Sequence, residues 1–310
     1  MTNRLATLLT LAAVLVACHP PLTLVRTEKQ INKQLDGQPG IFAVAFRDLA
    51  NGEELLIREK EVFHAASTMK TPVLIEVFKQ SAAGKFSLSD SILIRNEFNS
   101  IVDGSLYHLN AAGDSEKELY ASVGKKKTVG YLVYHMITVS SNLSTNILID
   151  LVGAKNATQT MHNLGASTIQ VLRGVEDSLA YARGLNNTTT ARDLMMIFQK
   201  MASGETVNPK SSQAMIDILL MQKFNEVIPA ELPTGVKVAH KTGSFPGVHH
   251  DSGIIFLPDG RKYVLVILSK DLVDDRAAVK SMAAVSKLIY QHVNSAGGRQ
   301  KGSRQSVADQ

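Results

Sequence analysis

Ser67 and Lys70 place a hydroxyl and an amine three residues apart at the predicted start of a helix, hence on one face and within hydrogen-bond reach. A serine hydroxyl is a weak nucleophile until a base takes its proton, and a partly desolvated lysine has a pKa lowered towards that task. N–H groups at the helix N-terminus would stabilise an acyl oxyanion. The pair suits acyl transfer but is weak evidence alone, because Ser122 and Lys125 repeat the spacing in a Gly/Lys loop without a helix start or apolar backing.

A second polar motif, Ser140-Ser141-Asn142, lies between two predicted helices. A short loop there could point Ser140 and Asn142 towards Ser67. The alternative is helix capping, because Ser141 or Asn142 would serve as the N-cap of the following helix. The pattern recurs at Ser144-Thr145-Asn146, which falls inside that helix and is less well presented.

A third motif, His240-Lys241-Thr242-Gly243-Ser244, continues a predicted strand. Beside a cleft, such a strand offers an ammonium, a hydroxyl and a backbone N–H in a row. Lys241 and Thr242 would bind a substrate carboxylate, and the Ser244 N–H would face the oxyanion. The alternative is a surface strand that ends at a glycine turn.

The elements that position these motifs begin with an amphipathic helix at 23–35 and two strands, 41–46 and 54–57, joined at Asn51-Gly52. Asn-Gly between apolar segments is a strong short-range hairpin signal. The next helix carries Pro72 in its opening turn, where N–H groups lack intrahelical partners anyway.

Helical patterns dominate residues 86–232, and strands return after them. The helices are predicted at 129–138, 143–151, 156–164, 190–201 and 211–220, and the strands at 236–239, 252–257 and 263–268. A final helix at 274–293 precedes a Gly/Ser/Gln/Lys-rich tail, whose composition predicts disorder. Both chain ends therefore contribute to one α/β lobe, with a helical lobe inserted between them.

The N-terminal segment has the pattern of a bacterial export signal. Arg4 precedes an apolar run at 5–16, too short to span a bilayer comfortably, and Cys18, the chain's only cysteine, stands just after that run. Leu15-Val16-Ala17-Cys18 resembles the bacterial lipobox, which predicts removal of residues 1–17, lipid attachment at Cys18 and export to the periplasm. The alternative is a cysteine discarded with the signal peptide. A single thiol forms no internal disulfide, so packing must hold the mature fold.

The charge pattern gives no argument for nucleic-acid binding. The formal net charge is +5 over 310 residues, and the one dense basic run, Lys125-Lys126-Lys127, has no interleaved aromatic residues. We expect that run to be a solvated loop, the protein to be a monomer, and membrane contact to come only through the N-terminal lipid.

The three motifs together, in this order and context, resemble those of the class A β-lactamases and penicillin-binding proteins. The resemblance extends from the strands before Ser67 to the closing helix. It implies that Ser67 is the acylated nucleophile, Lys70 its base partner, Ser140 the proton relay to the lactam nitrogen and Asn142 a ligand of the substrate side-chain amide.

The resemblance also implies an α/β fold of the α+β type, in which an antiparallel sheet flanked by the N- and C-terminal helices lies beside an inserted all-helical lobe. The expected boundaries are a signal peptide at 1–17, a catalytic domain at 18–293 with an α/β lobe (23–80 and 233–293) and a helical lobe (81–232), and a tail at 294–310.

A second carboxylate distinguishes the lactamases from the penicillin-binding proteins, because it activates the water that cleaves the acyl-enzyme. Arg173-Gly174-Val175-Glu176 resembles the start of the class A loop that carries this group, and Asn187-Thr188-Thr189-Thr190 resembles its end. The resemblance implies that Glu176 is the general base. The alternative is a solvated loop glutamate.

This chain departs from the family at several positions. Ala180 replaces the asparagine four residues after the glutamate, Arg173 stands three residues before it instead of two, and Asn187 replaces the aspartate that pairs with the arginine. Ser141 replaces the aspartate of the family's Ser-Asp-Asn motif. Residues 245–260 contain no arginine or lysine, so His249 and His250 are that segment's only candidates to assist carboxylate binding, and either can be a plain loop residue.

The leading hypothesis is β-lactam hydrolysis through an acyl-enzyme on Ser67, without a metal or organic cofactor. One alternative is a peptidoglycan DD-peptidase or esterase-like hydrolase that uses the same Ser-Lys pair. Another is a non-catalytic penicillin-binding receptor that is acylated without turnover. The pattern does not specify which β-lactams are preferred or which membrane holds the lipid.

Overall fold

A computed structural model describes residues 23–308, with side chains described to residue 295. The predicted signal peptide and Cys18 lie outside the described residues. None of the helices in the described range is long and apolar enough to cross a membrane.

Eleven strands and nine helices are assigned within residues 23–308. The strands are β1 (Ile41–Asp48), β2 (Glu54–Ile57), β3 (Phe63–His64), β4 (Ser91–Leu93), β5 (Phe98–Asn99), β6 (Leu106–Tyr107), β7 (Lys126–Thr128), β8 (Thr188–Thr189), β9 (Lys237–Phe245), β10 (Val248–Phe256) and β11 (Lys262–Lys270). The helices are α1 (Leu24–Asp36), α2 (Lys70–Ala82), α3 (Val129–Thr138), α4 (Asn142–Val152), α5 (Ala154–Asn163), α6 (Ser178–Ala182), α7 (Ala191–Ala202), α8 (Pro209–Leu219) and α9 (Asp275–Ala308).

The central sheet has five antiparallel strands in the order β2-β1-β11-β10-β9. It therefore joins strands from both ends of the chain, and the predicted fold class is confirmed. The predicted hairpin is also present: Gly52 adopts φ +78° and its N–H donates to Asp48 O at 3.0 Å, which closes the turn between β1 and β2.

Both faces of this sheet are covered, as the alternation along β1 shows. Phe42, Val44 and Phe46 pack with residues of α1 and α9, whereas Ala43 and Ala45 face the core shared with the inserted helices. Successive strand residues point to opposite faces, so a strand covered on both sides is buried almost continuously. The small alanines lie on the face where α7 packs across β1, β10 and β11.

Most predicted boundaries shift by a few residues, and two of the differences concern the Ser67 helix and the end of the chain. Ser67 lies in a 3₁₀ turn, Ala66–Met69, and the α-helix begins at Lys70, because the backbone enters through Ala66 at φ +45°, outside the helical region. The closing helix α9 continues to Ala308, past the predicted end at residue 293, so the tail predicted to be disordered is helical as far as residue 308. Its Ala, Gln, Lys and Arg residues are favourable in helices, which a composition-based argument for disorder overlooks.

Candidate active site

Lys70 is fully buried, and its ammonium is held by the loop that follows α3. Its Nζ donates to Ser140 O at 2.7 Å, Ser140 Oγ at 3.0 Å and Asn142 Oδ1 at 2.9 Å. Burial lowers the pKa of Lys70 to about 7, against the opposing charges of Asp114 and Glu176. A large share of Lys70 is therefore a neutral amine near neutral pH, as a general base requires.

The amine does not bond directly to the nucleophile in this structure. Among the described residues, the hydrogen-bond acceptors of Lys70 Nζ belong to Ser140 and Asn142 and do not include Ser67 Oγ. A buried ammonium takes the acceptors that surround it, and three oxygens lie on that side. Catalytic hydrogen bonds are often long before substrate binds, so this arrangement is compatible with Lys70 acting on Ser67.

The Ser140-Ser141-Asn142 turn combines the two interpretations that its sequence left open. Ser141 is buried and caps α4, accepting the Ser144 N–H at 3.2 Å. Ser140 and Asn142, on either side, face Lys70. Ser140 adopts φ +58°, and non-glycine residues in this region are strained, as is common at active sites. The competing pair, Ser122 and Lys125, lies in a surface turn and lines neither cavity at Ser67.

Lys241 lies behind the cleft and does not line it. It is fully buried, and its Nζ donates to Ser140 Oγ at 3.2 Å and to Thr242 O at 2.9 Å. Burial and the charge of Lys70 hold the pKa of Lys241 well below its usual range, and Asp251 opposes them. Ser140 Oγ therefore lies between two amines, an arrangement that suits proton transfer through the hydroxyl.

The β9 strand passes so close to the Ser67 turn that its motif requires glycine. A Cβ on Gly243 would lie 3.0 Å from Ser67 N and 3.1 Å from Thr68 N. Because the backbones meet there, Ser244 shares both cavities with Ser67. Their N–H groups are the candidate oxyanion donors.

The first cavity, about 750 Å³, opens from Ser67 towards α9. Thr242 and His249 line it from the sheet, and Arg276 and Lys280 line it from the first turns of α9. These two exposed cations escaped the sequence analysis, which considered only residues 245–260. They are charged groups that a substrate carboxylate in this cavity can reach.

Of the two candidate histidines, His250 fits the alternative of a structural residue, whereas His249 stays a candidate in the first cavity. His250 is buried: its Nε2 lies 2.9 Å from His64 O and its Nδ1 2.8 Å from His249 O, while burial lowers its pKa to about 4. It is therefore a neutral structural residue. His249 lines the cavity, but its Nε2 lies 3.5 Å from the carboxylate of Asp275, which competes with a substrate carboxylate.

The second cavity, about 470 Å³, lies on the other side of Ser67 and contains the candidate base. One wall is aromatic: the rings of His64 and Phe245 are stacked at 5.2 Å, and Tyr181 packs against both. Glu176 forms another part of the lining. A substrate bound at Ser67 can therefore extend into both cavities.

The Glu176 carboxylate is exposed, and two other residues hold it. Its Oε2 accepts the Asn110 N–H at 3.1 Å, and its Oε1 accepts from Asn142 Nδ2 at 3.2 Å. The residue adopts φ +63°. Asn142 therefore bridges Lys70 to Glu176, accepting from the first through Oδ1 and donating to the second through Nδ2.

Asn146, set aside as part of a motif inside a helix, anchors the backbone beside Glu176. It lies one turn after Asn142 in α4, and its amide accepts the Val175 N–H at 2.7 Å and donates to Val175 O at 3.0 Å. A Cβ on Gly174 would lie 2.6 Å from Asn146 Oδ1, so only glycine allows this contact. Two asparagines on one helix face thus hold the loop that carries the candidate base.

The side-chain amides of two asparagines connect the start and the end of that loop. The Arg173 guanidinium donates to Asn186 Oδ1 at 3.0 Å and Leu185 O at 2.8 Å, while Asn187 bonds to the backbone of Leu172 and Arg173. Ala180 is fully buried in α6 and does not line the second cavity. Both amide atoms of Asn187 are therefore engaged, whereas Asn186 is bonded through Oδ1 and does not line the second cavity.

No group of three or more His, Cys, Asp or Glu side chains in the described part of the chain is arranged to hold a metal ion.

Comparisons with known proteins show the family and the fold. Residues 26–293 match the family model described as the beta-lactamase enzyme family. The extended-spectrum beta-lactamase PER-1 of Pseudomonas aeruginosa is 25% identical over 279 residues, which cover 85% of this chain and 86% of that protein. The structure of PBP-A is 27% identical with a TM-score of 0.76, over 89% of this chain and 98% of PBP-A. The beta-lactamase of Sphaerobacter thermophilus is 25% identical with a TM-score of 0.73, over 87% and 97% of the two chains.

Proposed function

The chain belongs to the beta-lactamase enzyme family, whose members of the class A type are serine hydrolases, and we propose that it hydrolyses β-lactams through an acyl-enzyme on Ser67. The observation that carries this proposal is the convergence of the Ser67 turn, a buried Lys70 with a pKa of about 7, and Ser140 between two lysines. An exposed carboxylate, Glu176, lies in the cavity that Ser67 also lines.

Acylation proceeds in two proton transfers. Neutral Lys70 takes the Ser67 proton as Oγ attacks the lactam carbonyl carbon, and the N–H groups of Ser67 and Ser244 stabilise the oxyanion. When the C–N bond breaks, the lactam nitrogen receives a proton from Ser140 Oγ, which is replenished by Lys70 or Lys241. Glu176 then removes a proton from the water that attacks the ester, and Ser67 leaves with a proton returned through Lys70.

The substrate carboxylate lies in the first cavity, near Thr242, Arg276 and Lys280. We expect Arg276→Ala to lower kcat/KM for a carboxylate-bearing penicillin by roughly tenfold, mainly through KM, because a charge-assisted contact made in both ground and transition states is lost. Steady-state kinetics at two salt concentrations measure this. Lys287→Ala is the control, because Lys287 lies on the same helix but pairs with Glu231. Equal kinetics for Arg276→Ala and wild type would remove Arg276 from the substrate site.

Two alternatives use parts of the same site. A DD-peptidase would cleave a peptide ending in D-Ala-D-Ala, and a receptor would hold the acyl group without releasing it. Purified protein offered benzylpenicillin and such a peptide in parallel separates the three functions. We expect penicilloate release to exceed peptide cleavage; the reverse, or adduct formation without product, would support an alternative.

Export and lipid attachment at Cys18 stay predictions from the sequence. Because Cys18 is the only cysteine, no other residue can supply the thioether. We expect Cys18→Ser to move the protein from the detergent phase to the aqueous phase in Triton X-114 partitioning, or to leave an unprocessed precursor. Unchanged partitioning of a mature protein would contradict the lipobox assignment.

A further inference from the structure

Asp114 is a buried carboxylate that the mechanism above does not use. It follows the short 3₁₀ turn Ala111–Gly113 and is 3% exposed. Its Oδ2 accepts the N–H groups of Asn142 at 2.9 Å and Leu143 at 3.0 Å, and the Tyr120 hydroxyl at 3.0 Å. Its Oδ1 accepts the Glu116 N–H at 3.1 Å. Each of these four donors is a neutral N–H or O–H group.

Two of the three backbone donors, Asn142 and Leu143, belong to the first turn of α4. Such N–H groups lack intrahelical partners, and a negative charge beside them is favourable. The side chain of Ser141, the N-cap, accepts only the Ser144 N–H. Asp114 therefore completes the cap from a distant loop, in a chain whose Ser140-Ser141-Asn142 turn has no carboxylate of its own.

Asn142 links this carboxylate to the reacting groups. Its N–H is held by Asp114, its Oδ1 accepts from Lys70, and its Nδ2 donates to Glu176. A shift of the Asn142 backbone would therefore move acceptors away from Lys70. The charged and titratable groups around Lys70 are Lys241 on β9, Asp114 on the loop between β6 and β7, and Glu176 on the loop between α5 and α6.

We propose that Asp114 is a positioning residue of the active site, which fixes the Ser140-Ser141-Asn142 turn against Lys70 and keeps a negative charge beside that amine. This inference rests on the proposed function in one respect: it takes the Ser140-Ser141-Asn142 turn to act in acyl transfer. The charge also acts over distance: it raises the pKa of Lys70 against the effect of burial.

The isosteric variant Asp114→Asn separates charge from packing, because one amide oxygen can still accept an N–H while the charge is lost. Lys70 must be neutral to take a proton, so the acylation rate rises with pH through the Lys70 pKa. Removing the Asp114 charge lowers that pKa. We therefore expect the rising part of the pH profile, near pH 7 in wild type, to move to lower pH by about one unit. The rate at the plateau is expected to fall about tenfold, because the neutral amine becomes less basic and Asn142 less well held.

The control is Asp193→Asn. Asp193 is another buried carboxylate that accepts two backbone N–H groups, from Thr168 at 2.7 Å and Ile169 at 3.1 Å. Its loss can reduce stability, but it has no contact with the Lys70 cluster. The pH profile of the acylation rate in Asp193→Asn should keep the wild-type midpoint.

Two readouts decide the proposal. Acylation by a fluorescent penicillin gives the pH profile, and the ¹³C shift of Lys70 Cε, identified by its loss in Lys70→Met, gives the midpoint without substrate. A midpoint that moves in Asp114→Asn but not in Asp193→Asn supports the proposal, whereas an unmoved midpoint overturns it. If wild type forms no adduct, the proposed function is wrong, and the substrate-free titration still decides whether Asp114 sets the state of Lys70.

Discussion

Ser67→Ala is expected to abolish covalent labelling by a fluorescent penicillin. Ser67 lines both cavities, lies three residues before the buried Lys70, and has a backbone N only 3.0 Å from the position of a Cβ on Gly243. Loss of a serine nucleophile reduces turnover by roughly 10⁶-fold in a well-studied hydrolase, which leaves only binding and background reaction. Gel fluorescence after a brief pulse measures the effect.

Ser122→Ala is the matched control, because Ser122 has the same spacing to a lysine, Lys125, in a surface turn. It should label like wild type. Labelling that survives Ser67→Ala, or disappears in Ser122→Ala, would show that another serine is the nucleophile.

Glu176→Gln is expected to lengthen the lifetime of the acyl-enzyme by about 10²- to 10⁴-fold, because an amide cannot take a proton from the attacking water. Acylation should be much less affected, since Lys70 supplies that base. Intact-protein mass spectrometry after removal of excess penicillin follows the decay. Glu118→Gln, which changes an exposed glutamate that lines neither cavity, is the control and should decay like wild type. Equal decay for Glu176→Gln and wild type would mean that the loop carries no base.

Deacylation in wild type is itself expected to be slow. A hydrolytic water needs its base and a second polar partner, and the loss of one such hydrogen bond costs about 1–3 kcal/mol, or roughly ten- to a hundredfold in rate. Asn186 and Asn187 are engaged with Arg173 and its neighbours. The Ala180→Asn change, which the family comparison would suggest as a remedy, would place an amide at a buried position outside the cavity, so it is not expected to speed turnover.

The sequence predicted those features that depend on local patterns. The β1–β2 hairpin follows from Asn51-Gly52, and α3 has the predicted bounds, 129–138, because apolar periodicity and a capping Thr128 act within one element. Local patterns also place Ser67, Lys70, Ser140 and Asn142 near the ends of helices, but their convergence was predicted from the family resemblance, because residues about 70 apart in sequence meet only in the folded chain.

Residues whose partners are far away in sequence could not be predicted from local sequence patterns. Asp114 caps α4 from another loop, Asn146 holds Val175 from inside a helix, and Arg276 reaches the cleft from the closing helix. No periodicity or spacing relates such pairs, since their contact exists only after the chain is packed. For His250 the sequence left two interpretations open, and its burial supports the structural one.

The lifetime of the adduct on Ser67 tests the central claim most directly. Wild-type protein is pulsed with benzylpenicillin, and its intact mass is followed while proteolytic mapping locates the modified residue. We expect a burst of one adduct per protein on Ser67, carrying the mass of the whole drug, which then decays to unmodified enzyme as penicilloate appears at the same slow rate. An adduct that persists without penicilloate release, or one on another residue, would contradict hydrolysis through Ser67.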